Sequence, residues 1–130
     1  MKKAPLAEDI FAVLSDGITI KMFKMASTGF RVRGGLYKKL KITRKQYISR
    51  LRKLMATGLI HKRSAVYVLT ALGQIVDKTI LRMTEESADN YWKLKAIDSF
   101  EKDLPLEEKH NMIDAMLSDT LIRDTIAKYA

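Results

Sequence analysis

Apolar residues recur every three or four positions along most of this chain, the spacing that gives a helix one buried stripe. Leu6, Ile10, Val13 and Leu14 mark a first short helix, with Pro5 suited to its first turn. Asp16 is placed to cap a second, carrying Ile18, Met22, Phe23 and Met25 or Ala26, and Gly29 ends it. Arg31-Val32-Arg33 reads as a short extended segment, followed by Gly34-Gly35 and a helical piece from Leu36 to Leu40. Thr43 then opens the clearest helix of the chain, which runs to about Thr57 and stops at Gly58, with Leu59 behind it. On that helix Tyr47, Ile48, Leu51, Leu54 and Met55 are expected to face the core. The other side collects Lys45, Gln46, Ser49, Arg50, Arg52 and Lys53, with Arg44 in the first turn.

The period changes after Gly58. Leu59-Ile60 and Val66-Tyr67-Val68-Leu69 are β-branched, branched or aromatic residues that predict a two-stranded hairpin, its tip formed by His61 to Ala65. Thr70 is a cap for a long helix through Leu72, Ile75, Val76, Ile80, Met83, Tyr91, Leu94 and Ile97, which the polar stretch Glu85 to Asn90 can interrupt. A further helix restarts at Asp103-Leu104-Pro105 and carries Ile113, Met116 and Leu117. Ser118 or Asp119 caps a last one with Leu121, Ile122, Ile126 and Tyr129. The fold class is mainly α with one short β-hairpin.

Composition adds bounds. A chain of 130 residues with 47% apolar side chains and two prolines is long enough for a real core, so its basic stretches are not a disordered tail. It has no cysteine, which excludes disulfides and thiolate metal sites. No apolar run approaches the roughly 18 residues needed to span a bilayer. Glu8 and Asp9 interrupt what would be the apolar core of a secretion signal, so the expected location is cytoplasmic.

Charge changes the picture most. From Gly17 to Val76 there is no Asp or Glu, yet that run carries 14 Lys or Arg. Residues 1–69 hold 16 basic and 3 acidic side chains, net +13, whereas residues 70–130 hold 8 and 12, net −4. Such segregation projects a positive field whose natural counterpart is a polyanion. It suggests a binding portion, residues 1–80, and a helical extension, residues 81–130, for dimerisation or packing.

Helix, short helix, turn, basic helix, hairpin, helix is the order of a winged helix-turn-helix domain. The stretch from Ile42 through Thr43-Arg44-Lys45-Gln46-Tyr47 to Leu54-Met55-Ala56-Thr57-Gly58-Leu59-Ile60 resembles the recognition helix and first wing strand of MarR/ArsR-like transcription regulators. Tyr67-Val68-Leu69-Thr70-Ala71-Leu72-Gly73 is similar to their returning wing strand and following helix. The resemblance covers about residues 10–80, and residues 99–130 match no motif. It implies a double-stranded DNA-binding regulator with the helix at about 43–57 in the major groove and the wing at about 60–69 on the backbone. It also implies a homodimer. The cysteine pairs of metal-sensing ArsR-type proteins are absent.

Within this frame Lys45, Gln46, Ser49 and Arg50 are the candidates for base edges, since Gln pairs bidentately with adenine and Arg with guanine. Arg31, Arg33, Lys38, Lys39, Lys41, Arg44, Arg52, Lys53, Lys62 and Arg63 are candidates for phosphate. Leu72, Val76, Ile80, Met83, Tyr91, Trp92 and Leu94 are candidates for a dimer seam. Tyr47 belongs with the core. Gly34-Gly35 lacks the Gly-Lys-Ser/Thr of a phosphate loop, and His61 and His110 are too far apart for metal spacing. No nucleophile and base recur in an arrangement that points to catalysis, so no enzyme, metal or cofactor is expected, and no residue identifies an effector. Two other readings are an architectural, chromatin-like DNA-binding protein with little sequence preference and a winged-helix module that docks an acidic protein.

Overall fold

In the computed structural model, which describes residues 3–31, 36–100 and 104–129, side-chain caps set where several helices begin. Helix α1 (Ala7–Val13) starts two residues later than Pro5 suggested. The Asp9 carboxylate accepts the Leu6 N–H at 2.8 Å, which makes Leu6 the cap and leaves Pro5 ahead of it. Asp16 caps α2 (Gly17–Met25) by accepting the Thr19 N–H at 3.3 Å. Gly29 follows with φ +87°, a conformation that costs glycine little. Extended structure begins at Phe30, which exchanges two backbone hydrogen bonds with Tyr67 at 3.1 and 2.8 Å while the two rings stack 5.5 Å apart. Val32 and Arg33 of the expected extended segment, and Gly34-Gly35, lie outside the described residues.

The short helix α3 (Leu36–Lys39) is followed by a turn in which Lys41 takes a left-handed φ of 57°. Helix α4 (Arg44–Ala56) has reciprocal capping at its start. The Thr43 hydroxyl accepts the Gln46 N–H at 3.1 Å, and the Gln46 amide oxygen accepts the Thr43 N–H at 3.0 Å. Its end is a Schellman stop. Gly58 adopts φ +79°, its N–H bonds to the Met55 carbonyl, and the Leu59 N–H bonds to the Leu54 carbonyl. Leu54 and Leu59 are fully buried there.

Strands β1 (Ile60–Arg63) and β2 (Val66–Leu69) pair antiparallel, from Ile60 with Leu69 to Arg63 with Val66. The tip is two residues, not five. Ser64 and Ala65 both take positive φ, 53° and 52°, as a two-residue hairpin turn of this hand requires. Neither residue signals such a turn in sequence, so His61 to Arg63 read as loop although they belong to the strand. Thr70 then caps α5 (Ala71–Val76) by accepting the Gly73 N–H at 2.9 Å. Its hydroxyl donates to the Gly58 carbonyl and its N–H to the Leu59 carbonyl, which ties the end of the hairpin to the end of α4.

The residues from Met1 to Asp77 form one compact unit and those from Lys78 to Ala130 another. The core of the first includes Met22, Phe23, Ala26, Phe30, Tyr47, Leu51, Leu54, Leu59, Ile60, Tyr67, Leu69 and Val76. Tyr47 is a core residue, as expected. Burial raises the pKa of its phenol, and no partner for the hydroxyl is found among the described residues.

The expected long helix is divided. A π-helical turn (Asp77–Leu81) follows α5, then α6 (Arg82–Asp89), a break at Asn90, and α7 (Tyr91–Asp98). The Asn90 amide donates to the Glu86 carbonyl at 2.8 Å and so closes α6 where no apolar stripe continues it. Helices α8 (Leu106–Met116) and α9 (Thr120–Tyr129) complete the second unit. Asp119 is the cap of α9: it accepts the Ile122 N–H at 3.0 Å and the Arg82 guanidinium at 2.8 Å. Those two contacts, the backbone one foremost, hold its carboxyl below the usual range. Ile113, Leu117 and Ile122 form the core of this unit, with Met83, Leu94, Ile97, Phe100, Met116 and Ile126 packed against them. Among the described residues no helix is long and apolar enough to cross a membrane.

Candidate nucleic-acid interface

Helix α4 packs one face against α2 and β1 and turns the other outward. With 100° between successive residues, Tyr47, Leu51 and Leu54 share the inner face, and all three are buried. Arg44, Lys45, Ile48, Ser49, Arg52 and Lys53 line an open groove on the outer side. All of them are exposed except Ile48, which is half-buried. At 1.5 Å per residue α4 is about 20 Å long, a length that fits a major groove.

Two of the four expected base-reading residues are committed elsewhere. Gln46 caps its own helix, as above. The Arg50 guanidinium points back to α2, where its Nε donates to Asp16 Oδ2, and its Nη1 donates to the Gln46 carbonyl at 3.3 Å. A helical wheel accounts for this: Arg50 lies about 60° from Tyr47, on the flank of the buried face and not opposite it. Ile48 is the reverse case. It was expected in the core, yet it sits about 100° from Tyr47 and lines the outer groove. The wheel angles hold both signals; grouping residues by polarity alone hides them.

Asp16 holds this corner together. Its Oδ2 accepts the Thr19 hydroxyl at 2.7 Å, the Thr19 N–H and the Arg50 guanidinium. The Thr19 hydroxyl, followed by Arg50, keeps its carboxyl below the usual range. A lowered folded pKa means the charged form contributes stability at neutral pH, which is lost as pH falls from about 4 through the folded value. Replacement of Asp16 by Ala removes both cap and ion pair and should cost about 1 kcal/mol or somewhat more in urea unfolding. Asp16→Asn keeps a capping oxygen but should flatten the acid limb of the stability curve. An unchanged acid limb in that variant would remove Asp16 from this role. The Asp16 side chain keeps 40% of its exposure, so salt should weaken the pair.

The phosphate candidates surround the groove in sequence. Arg31, Lys38, Lys39, Lys41, Arg44, Arg52, Lys53, Lys62 and Arg63 are all exposed. Arg33 lies outside the described residues. On the hairpin, the Lys62 ammonium stands 6.0 Å from the centre of the Tyr67 ring, close enough for a cation–π contact. No acidic residue lies between Gly17 and Val76, and the nearest one before that run, Asp16, is already paired with Arg50.

The seam candidates scatter. Val76 is buried in the first unit, and Met83 and Leu94 pack within the second, so their apolar surface serves their own cores. Leu72 is half-buried. Ile80, Tyr91 and Trp92 are exposed, and the Tyr91 and Trp92 rings meet edge to face 5.0 Å apart. His61 is exposed on β1, while His110 is half-buried and its Nε2 lies 3.2 Å from the Ala127 carbonyl, joining α8 to α9. Among the described residues no three His, Cys, Asp or Glu side chains gather as a metal site would need. Comparison with family models, with curated proteins and with solved structures gives no match to this chain.

Proposed function

We propose that the N-terminal unit is a winged helix-turn-helix that binds double-stranded DNA, and that the protein regulates transcription. Helix α4 enters the major groove, and the hairpin rests its Lys62 and Arg63 on the backbone. The observation that carries this reading is the outer face of α4: exposed cations around a groove, in a sixty-residue run with no carboxylate to neutralise them. A positive surface without internal counter-charges exchanges its counterions for phosphate. The element order, the capped basic helix and the hairpin behind it support the same reading. Two copies would pair through the exposed Ile80, Tyr91 and Trp92, giving half-sites about 34 Å apart on one face of the duplex.

The test is a fluorescence-anisotropy titration of duplex DNA at two salt concentrations, with a random-sequence pool competing and the bound fraction sequenced. Five neutralised phosphates per protomer correspond to a slope of log K against log salt near −4.5. One enriched palindrome would support a dimeric, site-specific regulator. The two-residue hairpin tip offers little surface for reading sequence and favours a second reading, an architectural protein with little sequence preference. Tight binding without enrichment would select that one. No binding at low salt would hand the basic face to a protein or RNA partner.

A further inference from the structure

Once Gln46 and Arg50 are committed to the fold, the side chains that α4 presents to a major groove are few. Lys45, Ser49 and Arg52 face most directly outward, with half-buried Ile48 on the flank about 100° from Tyr47 and Arg44 and Lys53 completing the lining. Among the described residues Ile48 is the single apolar member of that lining. Residues 44 and 52 stand one turn before and one turn after it, so Ile48 is framed by guanidinium side chains at i−4 and i+4. Its β-branched side chain has one strongly preferred rotamer in a helix, so it meets a ligand as a stiff probe.

The major-groove edges of the bases are donors and acceptors with one exception, the 5-methyl group of thymine. An isoleucine pressed against a polar edge strips that edge of water and returns nothing. Against a methyl group it buries apolar surface on both sides. We propose that Ile48 is a specificity-determining residue of this protein and that it reads the thymine methyl in the major groove. The cations around it supply affinity for any duplex, and Ile48 supplies preference. This rests on the DNA-binding reading above and assigns that site its sequence chemistry.

The experiment uses the full chain and the sequence most enriched from the random pool. Each thymine is replaced in turn by deoxyuridine, which leaves pairing intact and removes one methyl group. At one position per half-site affinity should fall about fourfold, the factor that burial of one methyl-sized group carries. With Ile48→Ala, folded by circular dichroism, that difference should shrink to within error, and the enriched motif should lose its thymine there. The deoxyuridine series needs no protein variant, so a misfolded Ile48→Ala would not block it. Equal affinity for thymine and deoxyuridine at every position overturns the Ile48 assignment and leaves DNA binding intact. Undiminished discrimination in folded Ile48→Ala overturns it too. Absence of duplex binding at low salt removes both readings.

Discussion

Replacing Arg44 and Lys45 together by glutamate should lower duplex-DNA affinity on the order of a thousandfold at 0.1 M salt while leaving the protein folded. Each phosphate contact contributes about 0.9 to the salt slope, which at 0.1 M corresponds to about an eightfold factor in affinity. Loss of the Arg44 phosphate contact therefore accounts for about eightfold, loss of the Lys45 base-edge contact for about tenfold more, and the repulsion of two new carboxylates for the rest. The slope itself should flatten by about 0.9. These two positions separate binding from folding better than any others on the helix. They are its first two residues, directly after the Thr43 cap, and the first turn carries no acidic side chain. Glutamate there meets the positive end of the helix dipole and should stabilise α4 by a few tenths of a kcal/mol or more. Retained affinity in a variant whose urea midpoint has risen would exclude the outer face of α4 as the binding surface.

Gly73→Ala should be the most damaging small substitution in the N-terminal unit. A Cβ at Gly73 would collide with the Leu59 carbonyl oxygen and stand 3.1 Å from its carbon. The obstacle is backbone, and it cannot swing aside, because the same carbonyl accepts the Thr70 N–H at 3.1 Å. Relief requires moving α5 away from the α4–β1 junction. The cost should be about 3 kcal/mol, the upper end for overpacking, even after the roughly 1 kcal/mol that alanine gains over glycine inside a helix. Gly17→Ala is the control. Nothing lies within 4 Å of its added Cβ, so the urea midpoint should hold or rise slightly. Comparable stability of Gly73→Ala and Gly17→Ala would mean that the close approach does not constrain the fold.

Most of what could be read in the sequence was local. Asp16, Thr43, Gly58 and Thr70 act at caps and stops because each works within three or four residues of itself. The hairpin strands follow from branched and aromatic residues in two short runs. What was not legible depends on pairs far apart in the chain. Arg50 looked outward until Asp16, 34 residues earlier, is found on it. Nothing near Gly73 in the chain marks its constraint, which comes from Leu59, fourteen residues earlier. The hairpin tip escaped for another reason: Ser64 and Ala65 hold left-handed conformations that their side chains do not advertise. The division of the long helix was only partly legible, since Glu85 to Asn90 marked the break but nothing marked the π-helical turn. At the candidate interface, the basic residues and their grouping on α4 were visible, whereas the exchange of Arg50 for Ile48 on the outer face required angles.

The Thr70 clamp has a consequence for how a duplex would be held. Its hydroxyl and N–H grip the carbonyls of Gly58 and Leu59, so the end of α4 and the foot of the hairpin are joined through a single residue. Neither element can reorient without breaking those bonds. A rigid pair of contacts carries little ordering cost on association. It also cannot reshape itself to follow the nucleic acid. The curvature and groove width needed to meet both contacts must then come from the DNA, and sequences that bend easily there would gain an advantage at base pairs no side chain touches.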